Sequence, residues 1–172
     1  MAMKGKWAQG ITPRHFSWII KDKLAISERP GGYGHNHRKV RRQEEIIWVR
    51  EQGFTRVVSL IPSAHNLHNY DELGVEWVHC PFAAQDDAPR VLTVLYPQMR
   101  SLLTSGGKLL VHGEELGDRV CGVAAGYLLW TGLIKTGPDT INAIEKLTGR
   151  QLDPDGRELI AVAGRIPGPE QT

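Results

Sequence analysis

The residue types able to do chemistry concentrate in one short stretch, Val111-His112-Gly113-Glu114-Glu115-Leu116-Gly117-Asp118-Arg119-Val120. It follows the apolar run Lys108-Leu-Leu-Val-His112 and precedes an Ala- and Gly-rich segment. A strand, a tight loop and a helix amino terminus in that order make backbone N–H groups converge, and the helix dipole adds partial positive charge. Arg119, at the start of the helix, could hold an oxyanion through two parallel hydrogen bonds. The pattern points to recognition of an anion.

The elements that must position this loop are legible as alternating patterns. Phe16-Ser-Trp-Ile-Ile20 and Lys23-Leu-Ala-Ile-Ser27 predict two strands around a turn at Lys21-Asp22. Glu28 to Arg38 reads as a loop, and Arg41 to Gln52 as a helix with Gly53 just past its end. Phe54 to Ile61 reads as a buried strand stopped by Pro62, Leu67 to Leu73 as a short helix, and Val75 to Cys80 as the next strand. Pro81 to Pro89 is an expected loop carrying Asp86 and Asp87, followed by a helix over Val91 to Leu103. Lys108 to His112 has the composition of a central parallel strand. Helices are expected over Arg119 to Leu133, Asp139 to Leu147 and Asp153 to Val162. Strands alternating with helices predict an α/β fold with a central, mostly parallel sheet flanked by helices. In such sheets ligands bind at the carboxyl ends of the strands, where this loop lies.

The chain has 172 residues, 41% apolar and 23% charged, which suits one core of ordinary size and excludes a disordered tail. Two cysteines, Cys80 and Cys121, exclude a disulfide scaffold and lack metal-site spacing, so a cytoplasmic compartment is expected. The most apolar run, Cys121 to Ile134, is too short to span a bilayer and is broken by Gly122, Gly126 and Gly132. The amino terminus lacks an apolar h-region, so no signal peptide is expected. Residues 1–50 carry 11 Lys and Arg against 4 acids, and residues 51–172 carry 10 against 15. A basic first third is either a solvated surface or a rim facing an anionic partner.

His-x6-Arg after an apolar strand resembles the His-Cys-x5-Arg phosphate loop of the cysteine-dependent dual-specificity phosphatases. Pro13 to Pro30 resembles that family's amino-terminal "P-x-x-F-S-W-v…L-A…s-x-R-P" segment, which includes Arg29 as a secondary site residue. Gly53-Phe-Thr-Arg-Val-Val-Ser-Leu60 resembles its "G-i-t-x-V-v-x-L" strand, and Gly122-Val-Ala-Ala-Gly-Tyr-Leu-Leu129 its Ala-rich helix. The resemblance implies a dual-specificity-phosphatase-like domain over residues 12–164, an amino-terminal extension over 1–11 and a loose tail over 165–172. In that family the loop cysteine is the nucleophile, its thiolate stabilised by loop amides and the helix dipole. The resemblance implies that Arg119 grips the phosphoryl group. It implies that Asp86, with Asp87 a close second, is the general acid, and that His112 hydrogen-bonds inside the loop. No cofactor or metal is implied. The partner implied is a phosphorylated protein, peptide or small anionic ligand.

The departures fall in the loop itself. Gly113 stands at the nucleophile position and has no side chain. Val120 replaces the Ser or Thr that usually follows the arginine, and Leu116 stands where the loop glycine usually does, with Gly117 beside it. Glu114, Glu115 and Asp118 set three acids against Arg119. Unit charges ~4 Å apart interact by about 4 kcal/mol at an effective dielectric near 20, so one inward-facing acid would offset much of the arginine's attraction. Two explanations of Gly113 follow: a natural, catalytically impaired member, or an active phosphatase whose cysteine was replaced by engineering. Cys121 lies inside the expected helix and Cys80 ends the neighbouring strand, so both read as buried small hydrophobes.

Other patterns were open to metal or nucleic-acid readings. His65 and His68 could ligate zinc if helical, and His112, Glu114, Glu115, Asp118 and Asp86 could form an oxygen-rich cation site with different chemistry. His35 and His37 share a loop. Arg38-Lys39-Val40-Arg41-Arg42 could grip an anionic partner, but no nucleic-acid motif accompanies it, so specific nucleic-acid binding is not expected. Trp7, Trp18, Trp48, Trp77 and Trp130 occupy mostly apolar stretches and are expected in the core.

Overall fold

Short aliphatic and β-branched runs become the strands of one sheet in the computed structural model, which describes residues 9–32 and 39–169. They are β1 (Ser17–Ile20), β2 (Leu24–Ser27), β3 (Arg56–Ser59), β4 (Trp77–His79) and β5 (Leu109–His112), ordered β1-β2-β5-β3-β4. β1 is antiparallel to β2, and the remaining pairs are parallel. β5 is central and buried along its whole length, which explains its nearly unbroken apolar sequence.

Helices α1 (Lys39–Glu51) and α2 (His68–Glu72) cover one face of the sheet. Helices α3 (Ala88–Thr104), α4 (Asp118–Thr131), α5 (Gly137–Thr148) and α6 (Pro154–Arg165) cover the other. Strand alternation divides the core: Ile26, Val58, Leu109 and Val111 pack on the four-helix side, and Ala25, Val57 and Leu110 on the α1–α2 side. By the same alternation Ser27, Ser59 and His112, in register at the carboxyl ends of three parallel strands, face α1 and α2. Each of the three is buried. This α/β sheet flanked by helices is the expected architecture.

Several boundaries differ from the sequence expectation for local reasons. α3 starts at Ala88, ahead of the expected Val91, because Asp87 caps it by accepting the Arg90 N–H at 3.4 Å. Pro89 then sits in the first turn, where a missing N–H leaves no acceptor unfilled. α4 stops short of Leu133 because Gly132 takes a left-handed φ of 81° and ends it. Trp18 stacks on Phe54 at 5.6 Å, and Trp48 and Phe16 close that cluster. Trp130 packs on Tyr96 and Tyr127, and Trp77 donates to Asp71. Trp7, His35, His37 and Arg38 lie outside the described residues. Among the described residues no helix is long and apolar enough to cross a membrane.

Candidate functional site

The loop from His112 to Arg119 leaves the carboxyl end of β5 and enters α4 directly. Gly117 precedes the helix in extended conformation with no side-chain cap, so the first-turn N–H groups have no intrahelical acceptor. With Leu60, Ile61, Pro62 and Phe82 opposite, the loop walls a cleft of about 220 Å³. The guanidinium of Arg119 lies at the cleft wall, 4.6 Å over the Phe82 ring, and makes no ion pair among the described residues. The arginine thus rests over an aromatic face while its charge stays open to a ligand.

Two of the three loop acids are paired away from Arg119. Glu114 pairs with Arg29 at 3.0 Å, and the Arg29 N–H donates to the Glu114 carbonyl at 3.3 Å. Asp118 turns toward α6, where one carboxylate oxygen accepts the Gly156 N–H at 3.0 Å and the other lies 3.8 Å from Arg150. Glu115 folds over Gly117. Leu116 points inward and joins the core, 8% exposed, so the loop is anchored by an apolar side chain. Arg29, expected only as a secondary residue, is the partner that neutralises Glu114.

Gly113 borders the cleft. A Cβ built on it would stand 2.8 Å from Cγ2 of Val120, which is 2% exposed and fixed in the core. A side chain at position 113 therefore requires the buried Val120 to shift. The two departures, Gly113 and Val120, are one steric feature.

Asp86 and Asp87 lie elsewhere. Asp86 is exposed and accepts the Ala83 N–H at 2.7 Å, while its own N–H donates to the Ala83 carbonyl at 3.1 Å. Asp87 caps α3. Neither carboxylate is among the residues lining the cleft, and both serve local backbone turns.

His112 is buried behind the loop, 2% exposed. Its Nδ1 lies 2.9 Å from the Gly113 carbonyl and its Nε2 3.1 Å from the Tyr70 hydroxyl. A carbonyl only accepts, so Nδ1–H donates to Gly113 and the bare Nε2 accepts from Tyr70. Burial pushes the imidazole pKa down to about 4, so the ring is neutral near pH 7. Burial pushes the Cys121 thiol up to about 11 and the Cys80 thiol upward too, which leaves neither as a ready thiolate.

Among the described residues no three His, Cys, Asp or Glu side chains come together as a metal site. The oxygen-rich alternative fails because Glu114 and Asp118 are drawn to Arg29 and to α6. The His65–His68 alternative fails because α2 starts at His68, which leaves His65 outside the helix.

Sequence reasoning missed two parts of the neighbourhood. The sequence places Arg42 in a basic run that could grip an anionic partner, yet it is buried against Asn66 and Asn69. Its spacing from Ile46 and Val49, on the inner stripe of α1, was the available signal. Phe82 beneath Arg119 carried no local signal, because its place depends on how the chain returns after β4.

At the level of sequence no family model and no curated protein matches the chain. Solved structures do match. Tk-PTP in its active form superposes with a TM-score of 0.71 at 17% identity, over 88% of this chain and 98% of that one. Kinase associated phosphatase, with serine substituted for its catalytic-site cysteine, gives 0.71 at 21% identity over 87% and 93%. A human tyrosine phosphatase-like serine/threonine/tyrosine-interacting protein gives 0.61 at 14% identity over 85% and 93%. The chain therefore has the fold of the dual-specificity and tyrosine phosphatases. Within that fold it carries Gly113 at the end of the central strand, with Arg119 opening the following helix.

Proposed function

We propose that this protein is a catalytically impaired member of the dual-specificity phosphatase group that binds a phosphorylated or other anionic ligand in the Arg119 cleft. The observation that carries the reading is the 2.8 Å approach between a Cβ at position 113 and Val120. A cysteine cannot be restored there without moving a buried core side chain, which supports a natural glycine over an engineered replacement of an active enzyme's nucleophile. The absence of a low-pKa thiol nearby and the use of Asp86 and Asp87 as turn and cap residues support the same conclusion.

Ligand binding rests on different features. Arg119 has an open guanidinium, the first turn of α4 offers N–H groups, and two of the loop acids, Glu114 and Asp118, are engaged elsewhere. A single arginine with helix N–H donors suits a phosphate, sulfate or phosphopeptide. Titration with each of these by calorimetry is expected to give saturable binding to the wild type. Arg119→Ala is expected to weaken it about tenfold or more, in line with loss of a charge-assisted pair. Turnover of p-nitrophenyl phosphate by the wild type would overturn the impaired reading. Silent titrations with wild type and variant alike would leave a protein-interaction role, such as the name of the human interacting-protein neighbour describes for that protein.

A further inference from the structure

The segment that leads from β4 into α3 carries Phe82, and every part of it is tied down. The Phe82 N–H donates to the Leu60 carbonyl at 3.0 Å, just past the end of β3. Its side chain is buried and belongs to the core on the four-helix side. Directly after it the chain closes into a turn. The Asp86 carboxylate accepts the Ala83 N–H at 2.7 Å, and the Asp86 N–H donates to the Ala83 carbonyl at 3.1 Å. Asp87 then caps α3.

Over the Phe82 ring lies the Arg119 guanidinium, 4.6 Å from the centroid. An arginine side chain is long and rich in rotamers, so fixing it in one place costs entropy. A carboxylate partner would fix it too, but would take up the N–H groups that an oxyanion needs. An aromatic face attracts the charge without drawing those strong hydrogen bonds. Among the described residues Arg119 makes no ion pair, and the Phe82 ring is the group that meets its charge.

We propose that Phe82 is a positioning residue for the anion site, and that Asp86 keeps its ring in place by closing the turn behind it. This role rests on the reading of the Arg119 cleft as an anion site and adds what sets its affinity. An arginine ordered before the ligand arrives spares the ligand that ordering cost, so binding tightens without a new contact. Asp86 then acts on the ligand through Phe82 and Arg119. It does so as an acceptor for the backbone, not as an acid and not as a charge.

The test separates the acceptor of Asp86 from its charge. Asp86→Asn and Asp86→Ala both remove the charge, and only Asn keeps a side-chain oxygen for the Ala83 N–H. Calorimetric titration with sodium sulfate is expected to show binding about fivefold weaker in Asp86→Ala than in Asp86→Asn. Phe82→Leu keeps an apolar side chain in the core without a π face, and is expected to weaken sulfate binding by a similar factor. The NMR signal of the Arg119 Nε–H reports the arginine's position with no ligand present. The ring is expected to shift that proton upfield in the wild type and in Asp86→Asn, with the shift reduced in Asp86→Ala and lost in Phe82→Leu. Equal sulfate affinity in Asp86→Ala and Asp86→Asn overturns the proposal while the anion site stands. So does wild-type affinity in Phe82→Leu. A wild type that does not bind sulfate is a different result, because it overturns the anion reading of the cleft and this role with it. If Phe82→Leu fails to fold, the two variants of Asp86, which is exposed, decide the matter with the Arg119 signal.

Discussion

At the scale of single residues, Gly113 and Val120 act as a pair and should be tested as one. Gly113→Cys alone is expected to lose about 1–3 kcal/mol of stability through overpacking and to remain inactive on p-nitrophenyl phosphate. Adding Val120→Ser removes the obstructing methyl group, and the double variant is expected to recover part of that stability in urea titrations. Brisk turnover by Gly113→Cys alone would show that the loop accommodates a nucleophile as it stands. His112 makes a separate prediction. Its folded pKa of about 4 lies below the ordinary value of about 6.5, so the unfolded chain binds the proton more readily. The stability it contributes is full above pH 6.5 and is lost as pH falls from there toward 4, by about 3 kcal/mol in all. His112→Gln is expected to flatten that part of the pH dependence of urea unfolding. An unchanged slope between pH 7 and pH 4.5 would mean another group carries it.

At the scale of elements, the helix starts are held by acids that the family pattern would assign to catalysis or to the loop. Asp87→Ala removes the α3 cap and is expected to cost about 1 kcal/mol. Asp118→Ala leaves the Gly156 N–H without its acceptor at the junction of α4 and α6, which is expected to cost about 1–3 kcal/mol. Denaturant midpoints for the two variants check both figures, and a neutral Asp118→Ala would mean water replaces the bond. The β5–loop–α4 unit was legible in the sequence because an apolar run, a tight polar loop and an Ala/Gly-rich segment follow in order. The inward turn of Leu116 and the backward reach of Asp118 were not, since the first depends on the assembled core and the second on Gly156, 38 residues away in the chain.

At the scale of the whole molecule, stability rests on the close approach of α4 and α6 over the central strand. A Cβ at Gly126 would stand 2.4 Å from the Tyr96 hydroxyl and 2.9 Å from the Ala163 side chain. Tyr96 is fully buried and donates to the Val123 carbonyl at 2.8 Å. Gly126→Ala is therefore expected to destabilise the fold by about 1–3 kcal/mol despite its better helix propensity. A thermal midpoint equal to the wild type would mean that the helices part without cost. The charge asymmetry also resolves at this scale. Lys39 and Val40 are exposed, Arg41 is half-buried and pairs with Glu45, and Arg42 is buried. The basic run divides into a solvated end and an internal charge because α1 turns one stripe of its surface to the sheet.

The amino-acid sequence by itself determined the α/β layering, the central position of Leu109–His112 and the loop that ends on Arg119. These follow from periodicity, punctuation by Gly and Pro, and side-chain type, all of which act over neighbouring residues. It also determined that position 113 carries no nucleophile. Only the tertiary structure decided that Glu114 and Asp118 turn away from Arg119, where Arg42 goes, and why Gly113 and Val120 belong together. Those outcomes depend on distances between elements remote in the chain, and packing at ångström separations sets them.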